Sequence, residues 1–135
     1  MSKPLHCLVV TPEATVLEQD AEFVALPLFD GEIGIAAGHS PLIGRLGFGE
    51  MRIRSQGGST SRYYIDGGFV QVVDNVVSIL TNRAVLAASV KAEVAEQSLA
   101  AATQRSATTP ELAEIRERAI SQARAQIRVA RRNRI

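Results

Sequence analysis

The side chains of this 135-residue chain that invite a chemical reading are two histidines, His6 and His39, one cysteine, Cys7, an acidic pair and a run of arginines. His39 stands in a glycine-rich stretch, PLFDGEIGIAAGHSPLIGRL, from Pro27 to Leu46. A metal site asks for further His, Cys or carboxylate ligands at matched spacing. The only other histidine is His6, and nothing near it in sequence completes a set. Ser40 follows His39, yet no Gly-x-Ser-x-Gly elbow surrounds it. The plainer reading is a tightly turned sheet corner with His39 hydrogen-bonded near a strand end. Asp30 and Glu32 flank Gly31. Such carboxylates can work as an acid pair, but in a turn they read first as a solvated acidic edge, open to a basic partner. No residue is assigned a catalytic, cofactor-binding or metal-binding role.

Phosphate cradles are absent as well: neither G-x-x-x-x-G-K-[ST] nor G-x-G-x-x-G occurs. Arg118, Arg124, Arg128, Arg131, Arg132 and Arg134 follow one another with no acid between them. A nucleic-acid footprint usually adds aromatics that stack bases, and no aromatic follows Phe69. The run therefore reads first as a solvated helix face, favoured near a helix C-terminus by the helix dipole. An arm for an acidic protein partner comes second and nucleic acid last.

These residues sit in two halves of different chemistry. All ten glycines lie at or before Gly68, all six aromatics at or before Phe69, and four of five prolines at or before Pro41. After residue 84 the chain turns to Ala, Glu, Gln and Arg. Glycine and proline punctuate turns, aromatic and β-branched residues fill pleated surfaces, and alanine with straight-chain residues favours helix. The pattern predicts strands over Leu5–Thr11, Ala14–Glu18, Ala21–Leu28, Ile33–Ala36, Phe48–Ser55, Ser61–Asp66, Phe69–Asp74 and Val76–Thr81. Met51, Ile53 and Ser55 alternate with Glu50, Arg52 and Arg54, the period of a strand with one wet face. Asp74-Asn75 suits a tight hairpin turn, and Gly57-Gly58 and Gly67-Gly68 punctuate neighbouring connections.

The second half predicts two antiparallel helices. The first runs from about Lys91 to Arg105 and breaks over Ser106–Thr109. Thr109-Pro110-Glu111 then opens the second with an N-cap, a proline at the first helical position and an acid in the first turn. Thr108 with Glu111 is an alternative capping box. Leu112, Ile115, Ala119, Ala123, Ile127 and Ala130 form one apolar stripe, half of it alanine. Alanine buries little area, at roughly 25 cal/mol per Å², so weak docking of this hairpin is expected.

Net charge is +1, but residues 1–85 carry six basic and nine acidic side chains while residues 86–135 carry nine and five. One thiol forms no internal disulfide and suits a reducing compartment. The opening MSKPLHCLVVTPE meets charge and proline too soon for a signal peptide, and no apolar run approaches the roughly 20 residues of a membrane span. A soluble, cytoplasmic protein is expected, with any membrane contact made through a partner.

The run GEIGIAAGHSPLIGRLGFGEMRI, the later YYIDGGFVQVVDNVVSIL and the Ala/Arg-rich tail together resemble the ε subunit of F-type ATP synthases along nearly the whole chain. The resemblance implies a β-plus-α fold: a flattened N-terminal β-sandwich of about ten short strands over residues 1–86, then an antiparallel two-helix hairpin over residues 87–135. It implies a non-catalytic rotor part without a cofactor, peripheral on the cytoplasmic face of the bacterial inner membrane. The acidic loop, Asp30 and Glu32, would meet the membrane ring of proton-carrying subunits. Thr11, His39, Pro41 and Gly44 would face the central-stalk γ subunit. The hairpin would fold down or extend toward the catalytic α and β subunits, with Arg118, Arg124 and Arg128 holding an extended, inhibitory state.

One departure stands out. Relatives that bind ATP on the folded hairpin carry I-D-x-x-R-A, where this chain reads Val90-Lys91-Ala92-Glu93-Val94-Ala95. Lys91 replaces the aspartate and Val94 the arginine, although Arg124 and Arg128 match the second-helix arginines. No tight ATP binding is expected. The rival readings are the equivalent subunit of a related ion-pumping rotary ATPase, and a stand-alone module that binds nucleic acid through its arginine tail.

Overall fold

A computed structural model describes residues 3–133. Arg134, the last of the arginine run, lies outside them. Eight strands precede two helices: β1 (Leu5–Val10), β2 (Thr15–Ala21), β3 (Phe23–Leu28), β4 (Gly31–Ala36), β5 (Leu42–Arg54), β6 (Thr60–Val73), β7 (Val76–Leu80) and β8 (Ala84–Leu86), then α1 (Ala92–Thr103) and α2 (Pro110–Arg132). A short 3-10 turn, Ala87–Ser89, joins the strands to the hairpin.

The strands form one mixed sheet in the order β2-β1-β7-β6-β5-β3-β4, with β8 also paired to β6. Only β1 with β7 is parallel among these pairs; the rest are antiparallel. The two long strands make a sandwich from this single sheet. The first part of β5 pairs with the last part of β6, from Leu42↔Val72 to Leu46↔Gly68, beside β7 and β1. The second part of β5 pairs with the first part of β6, from Phe48↔Asp66 to Arg54↔Thr60, between β3 and β8. Both strands turn the corner where glycines cluster, at Gly47 and Gly49 on one and Gly67 and Gly68 on the other. One core fills the space between the layers: Leu5, Cys7 and Val9 of β1 pack with Val24 and Leu26 of β3, Met51 and Ile53 of β5, Ile65, Val70 and Val72 of β6, and Ile79 of β7.

Several expectations change here. Among the described residues the strands number eight rather than about ten. Ser61–Asp66 and Phe69–Asp74 are one strand, β6, with Gly67-Gly68 inside it. These glycines bend the ladder with positive φ of 74° and 109° and do not end it. β5 likewise starts at Leu42, six residues before the expected Phe48, running through Gly44, Gly47 and Gly49. The short β8 carries no pattern of its own. Asp74 and Asn75 do adopt left-handed φ, 49° and 64°, and close the β6–β7 hairpin.

The helix start is as expected: Thr109 caps α2, accepting from the Leu112 amide at 3.1 Å. The Thr108 capping box does not form, since Thr108 lies one residue outside the cap. The apolar stripe is corrected at its N-terminal end, where Leu112 and Ile115 are exposed. α1 covers only the later turns, and the buried residues of α2 are Ile120, Ala123, Ala125, Ile127, Val129 and Ala130. Ala125 and Val129 define a second buried face, which packs on Tyr64 and Ala87 of the β-sheet side.

Candidate functional site

The expected stalk-docking residues border the β5–β6–β7–β1 layer, whose outer face carries a set of exposed apolar side chains. Directly paired residues share one face of a sheet. The ladder therefore sets Arg45, Phe69, Leu80 and Val10 in one row and Ile43, Gln71, Ser78 and Leu8 in the next. Ile43 is 77% exposed, Phe69 59% and Leu80 54%. Contiguous apolar side chains left in water on a sheet face mark an interaction surface. A shallow depression of about 750 Å³ runs along one end of this face, lined by Thr11, Pro12, Phe69, Leu80 and Asn82 among others.

Thr11 caps the β1–β2 turn through its own amide and hydroxyl, both donating to the Ala14 carbonyl at 2.9 and 3.2 Å. His39 and the exposed Pro41 lie at the opposite end, in the β4–β5 loop, where the Asn75 side chain accepts from the Gly38 amide at 2.7 Å. His39 itself is half-buried, its Nδ1 2.7 Å from the Ser40 carbonyl oxygen. Gly44 belongs to the inner side: a Cβ there would meet Val70 Cγ1 at 3.3 Å and Leu28 Cδ2 at 3.5 Å. Sequence reasoning missed Ile43, Phe69 and Leu80, because a run such as Leu42-Ile43 does not say which residue faces out. The far edge is acidic. His6 approaches Asp20 at 3.1 Å and Glu18 at 3.5 Å, and the Asp20 bond raises its pKa above the ordinary histidine value.

Asp30 lies in the β3–β4 turn and Glu32 just beyond it in β4, both exposed. They are not equivalent: Glu32 accepts from Arg52 Nη2 at 2.9 Å. Beside Asp30, Phe29 is 65% exposed, and the Arg45 guanidinium lies 5.3 Å from its ring centroid. The turn therefore presents an aromatic ring next to a carboxylate. Among the described residues, no group of three or more His, Cys, Asp or Glu side chains is placed to hold a metal ion, and no helix is long and apolar enough to cross a membrane.

Arg118, Arg124 and Arg128 are all exposed on α2. Arg118 stacks 6.0 Å from the Phe48 ring centroid. Arg118, Arg128 and Arg132 line a groove of about 840 Å³ between α2 and β5, and Arg124 does not. At the head of the hairpin, Lys91 is the N-cap residue of α1 and Val94 is exposed.

The hairpin lies against the sandwich and is fastened by polar groups that the sequence did not announce. The expected wet face of β5 is covered at Glu50, which is only 8% exposed. Its carboxylate accepts from Arg62 Nε at 2.8 Å and from Arg62 Nη2, and pairs with Arg132 Nη1 of α2 at 3.0 Å. Burial alone would push its pKa up; the bonds and charge of Arg62, the charge of Arg132 and a bond from Arg52 outweigh this and hold it below the ordinary glutamate value. Further along α2, Gln122 Nε2 donates to Asp66 Oδ1 at 2.9 Å, and the buried Tyr64 hydroxyl donates to the same oxygen at 2.9 Å.

Comparison with known proteins gives one answer. Residues 4–87 match the family described as ATP synthase, Delta/Epsilon chain, beta-sandwich domain. The chain is similar to the ATP synthase epsilon chain of Rhodopirellula baltica, 46% identical over 127 residues, covering 94% of this chain and 98% of that one. It is 34% identical over 131 residues to the ATP synthase epsilon chain of Nitratidesulfovibrio vulgaris, covering 97% and 92%. Its fold is similar to a chain in the Euglena gracilis mitochondrial ATP synthase structure containing OSCP, F1 and the c-ring, with TM-score 0.81, 23% identity and coverage of 90% and 78%. It is also similar to a chain of the Tetrahymena thermophila mitochondrial central stalk and c-ring, with TM-score 0.77, 17% identity and coverage of 96% and 98%. A β-sandwich followed by a docked two-helix hairpin, matched over nearly full length, places this chain in the family of ATP synthase epsilon chains.

Proposed function

We propose that this chain is the non-catalytic rotor adaptor of an F-type ATP synthase at the cytoplasmic face of a bacterial inner membrane. In this reading the outer sheet face binds the central-stalk γ subunit, with Thr11, His39 and Pro41 at its ends and Gly44 packed beneath it. The β3–β4 turn, with Phe29, Asp30 and Glu32, rests on the membrane ring of proton-carrying subunits. The hairpin reaches toward the catalytic α and β subunits when extended, and Arg118, Arg124 and Arg128 then meet their acidic surface and restrain hydrolysis. One observation carries the adaptor reading: the apolar patch of Ile43, Phe69 and Leu80, exposed on adjacent rows of the outer sheet face.

The test is co-purification. A tagged wild-type chain should bring down the stalk and catalytic subunits. Ile43→Asp with Phe69→Ser should abolish this while the isolated variant keeps its circular dichroism. Full retention of the partners by the double variant would sink the assignment of this face. For the arm, removal of residues 88–135 should raise ATP hydrolysis by the assembled complex, and an unchanged rate would count against restraint. The isolated chain should show no saturable ATP binding at micromolar concentration, since Lys91 and Val94 stand where an aspartate and an arginine would be needed.

A further inference from the structure

We propose that Glu50 is the pin of an ionic latch that holds the hairpin on the sandwich, with Arg132 of α2 as the part that lets go. The regulatory meaning of the latch rests on the adaptor reading above; the latch itself is a property of the isolated chain.

The argument starts from β5 and β6. Arg52 and Arg62 are directly paired across the ladder, and like charges set opposite each other repel. Glu50, one step along on the same face, answers both. It takes two bonds from Arg62, one of them from Nε at 2.8 Å, and lies 3.4 Å from Arg52 Nη1. Arg52 in turn reaches Glu32 of β4. This part of the network lies wholly within the sandwich.

The last turn of α2 then adds to it from outside. Arg132 Nη1 reaches Glu50 Oε1 at 3.0 Å. Asn133 accepts from Arg62 Nη1 at 2.9 Å and donates to the Ala87 carbonyl at 2.7 Å. The apolar contact beneath centres on the buried Tyr64, Ala87, Ala125 and Val129, with the partly buried Phe48, Val85 and Val90 packed against it. Two of the four fully buried residues are alanines, which bury little area each. The charge-assisted bonds at the helix end, with the Gln122–Asp66 bond further back along α2, are the strong contacts of this interface.

The same geometry makes the contact releasable. A buried carboxylate that loses its only partner is heavily penalised. Glu50 keeps Arg62 and Arg52 when α2 lifts, so opening strands no charge. Arg132 is half exposed and returns to water at little cost. A firm carboxylate on the sandwich and a replaceable arginine on the arm form a fastener that salt and charge substitutions can tune.

Hydrogen exchange on the isolated full-length chain tests the latch. In Arg132→Gln and in Glu50→Gln, amides of α2 from residue 120 to 132 should exchange at least about tenfold faster, the effect of removing one partner of a charge-assisted contact. In Arg132→Gln, amides of β5 and β6 should keep their protection. Arg131→Gln, which removes only the 3.7 Å pair with Glu96 inside the hairpin, should exchange like wild type. Raising sodium chloride should loosen α2 in wild type and have less effect in Arg132→Gln. The latch is overturned if Arg132→Gln exchanges like wild type, or if it loosens the sandwich as much as α2. Either result would leave the co-purification test of the adaptor reading untouched.

Discussion

Gly68 lies so close to Leu80 that a Cβ on it would sit 1.9 Å from the Leu80 carbonyl oxygen, and its φ is 109°. The corner that folds one sheet into two layers thus depends on this residue having no side chain. Gly68→Ala should destabilise the fold by at least about 3 kcal/mol, from backbone strain and overlap together. Gly57→Ala, where a Cβ meets nothing within 4 Å, should stay within about 0.5 kcal/mol. Thermal unfolding of the two variants side by side checks the contrast.

Acid should open the hairpin before it unfolds the sandwich. The groups facing Glu50 are Arg52 on β5, Arg62 on β6 and Arg132 on α2, with Glu32 of β4 reached through Arg52. A carboxylate held below its ordinary value contributes stability in full above that value, about 4.3 for glutamate, and loses it as pH falls through the lower folded value. Protection of α2 amides should therefore be flat from pH 7 to 5 and decline below about 4. In Glu50→Gln that decline should be absent or much reduced, and an identical profile in both proteins would refute the assignment.

Cys7 is fully buried in the sandwich core, and burial pushes its thiol up to about 12. It should resist thiol-reactive dyes at pH 8 for as long as the sandwich is closed and label fully in denaturant. Cys7→Ser should cost about 1–3 kcal/mol, because a hydroxyl there lacks a polar partner. Rapid labelling of the native protein would show that β1 opens readily.

Thr109 and Thr108 differ by one position at the start of α2, and only Thr109 caps it. Thr109→Ala should cost about 1 kcal/mol of helix stability, while Thr108→Ala should be nearly silent. Denaturant titration of the two alanine variants separates them.

Much of this molecule is legible in the order of its residues. The break from glycine and aromatics to alanine and arginine near residue 84 separates sheet from helices because each composition satisfies the backbone in only one way. Asp74-Asn75 and Thr109-Pro110 announce a turn and a helix start by local chemistry alone, and both are found. Strand ends are less legible. Gly67-Gly68 has the composition of a connection, yet β6 continues through it, because β5 stays paired with it across the glycines, at Leu46↔Gly68 and Phe48↔Asp66.

Residue type and short spacing are enough to settle the two-part architecture, the turn and cap positions, and the family motifs around Gly31–Leu46. Which apolar residues stay outside and which charge goes inside follows only from the assembled fold. Ile43 is exposed and Leu46 buried because the ladder sets their faces. Leu112 and Ile115 are exposed because α1 stops short of them, although their spacing marks them as core. Glu50 alternates with Met51 as a residue on a wet strand face should, and it is buried because the end of α2, far along the chain, brings Arg132 over it. No local pattern contains that meeting, which exists only when the hairpin has folded back on the sheet.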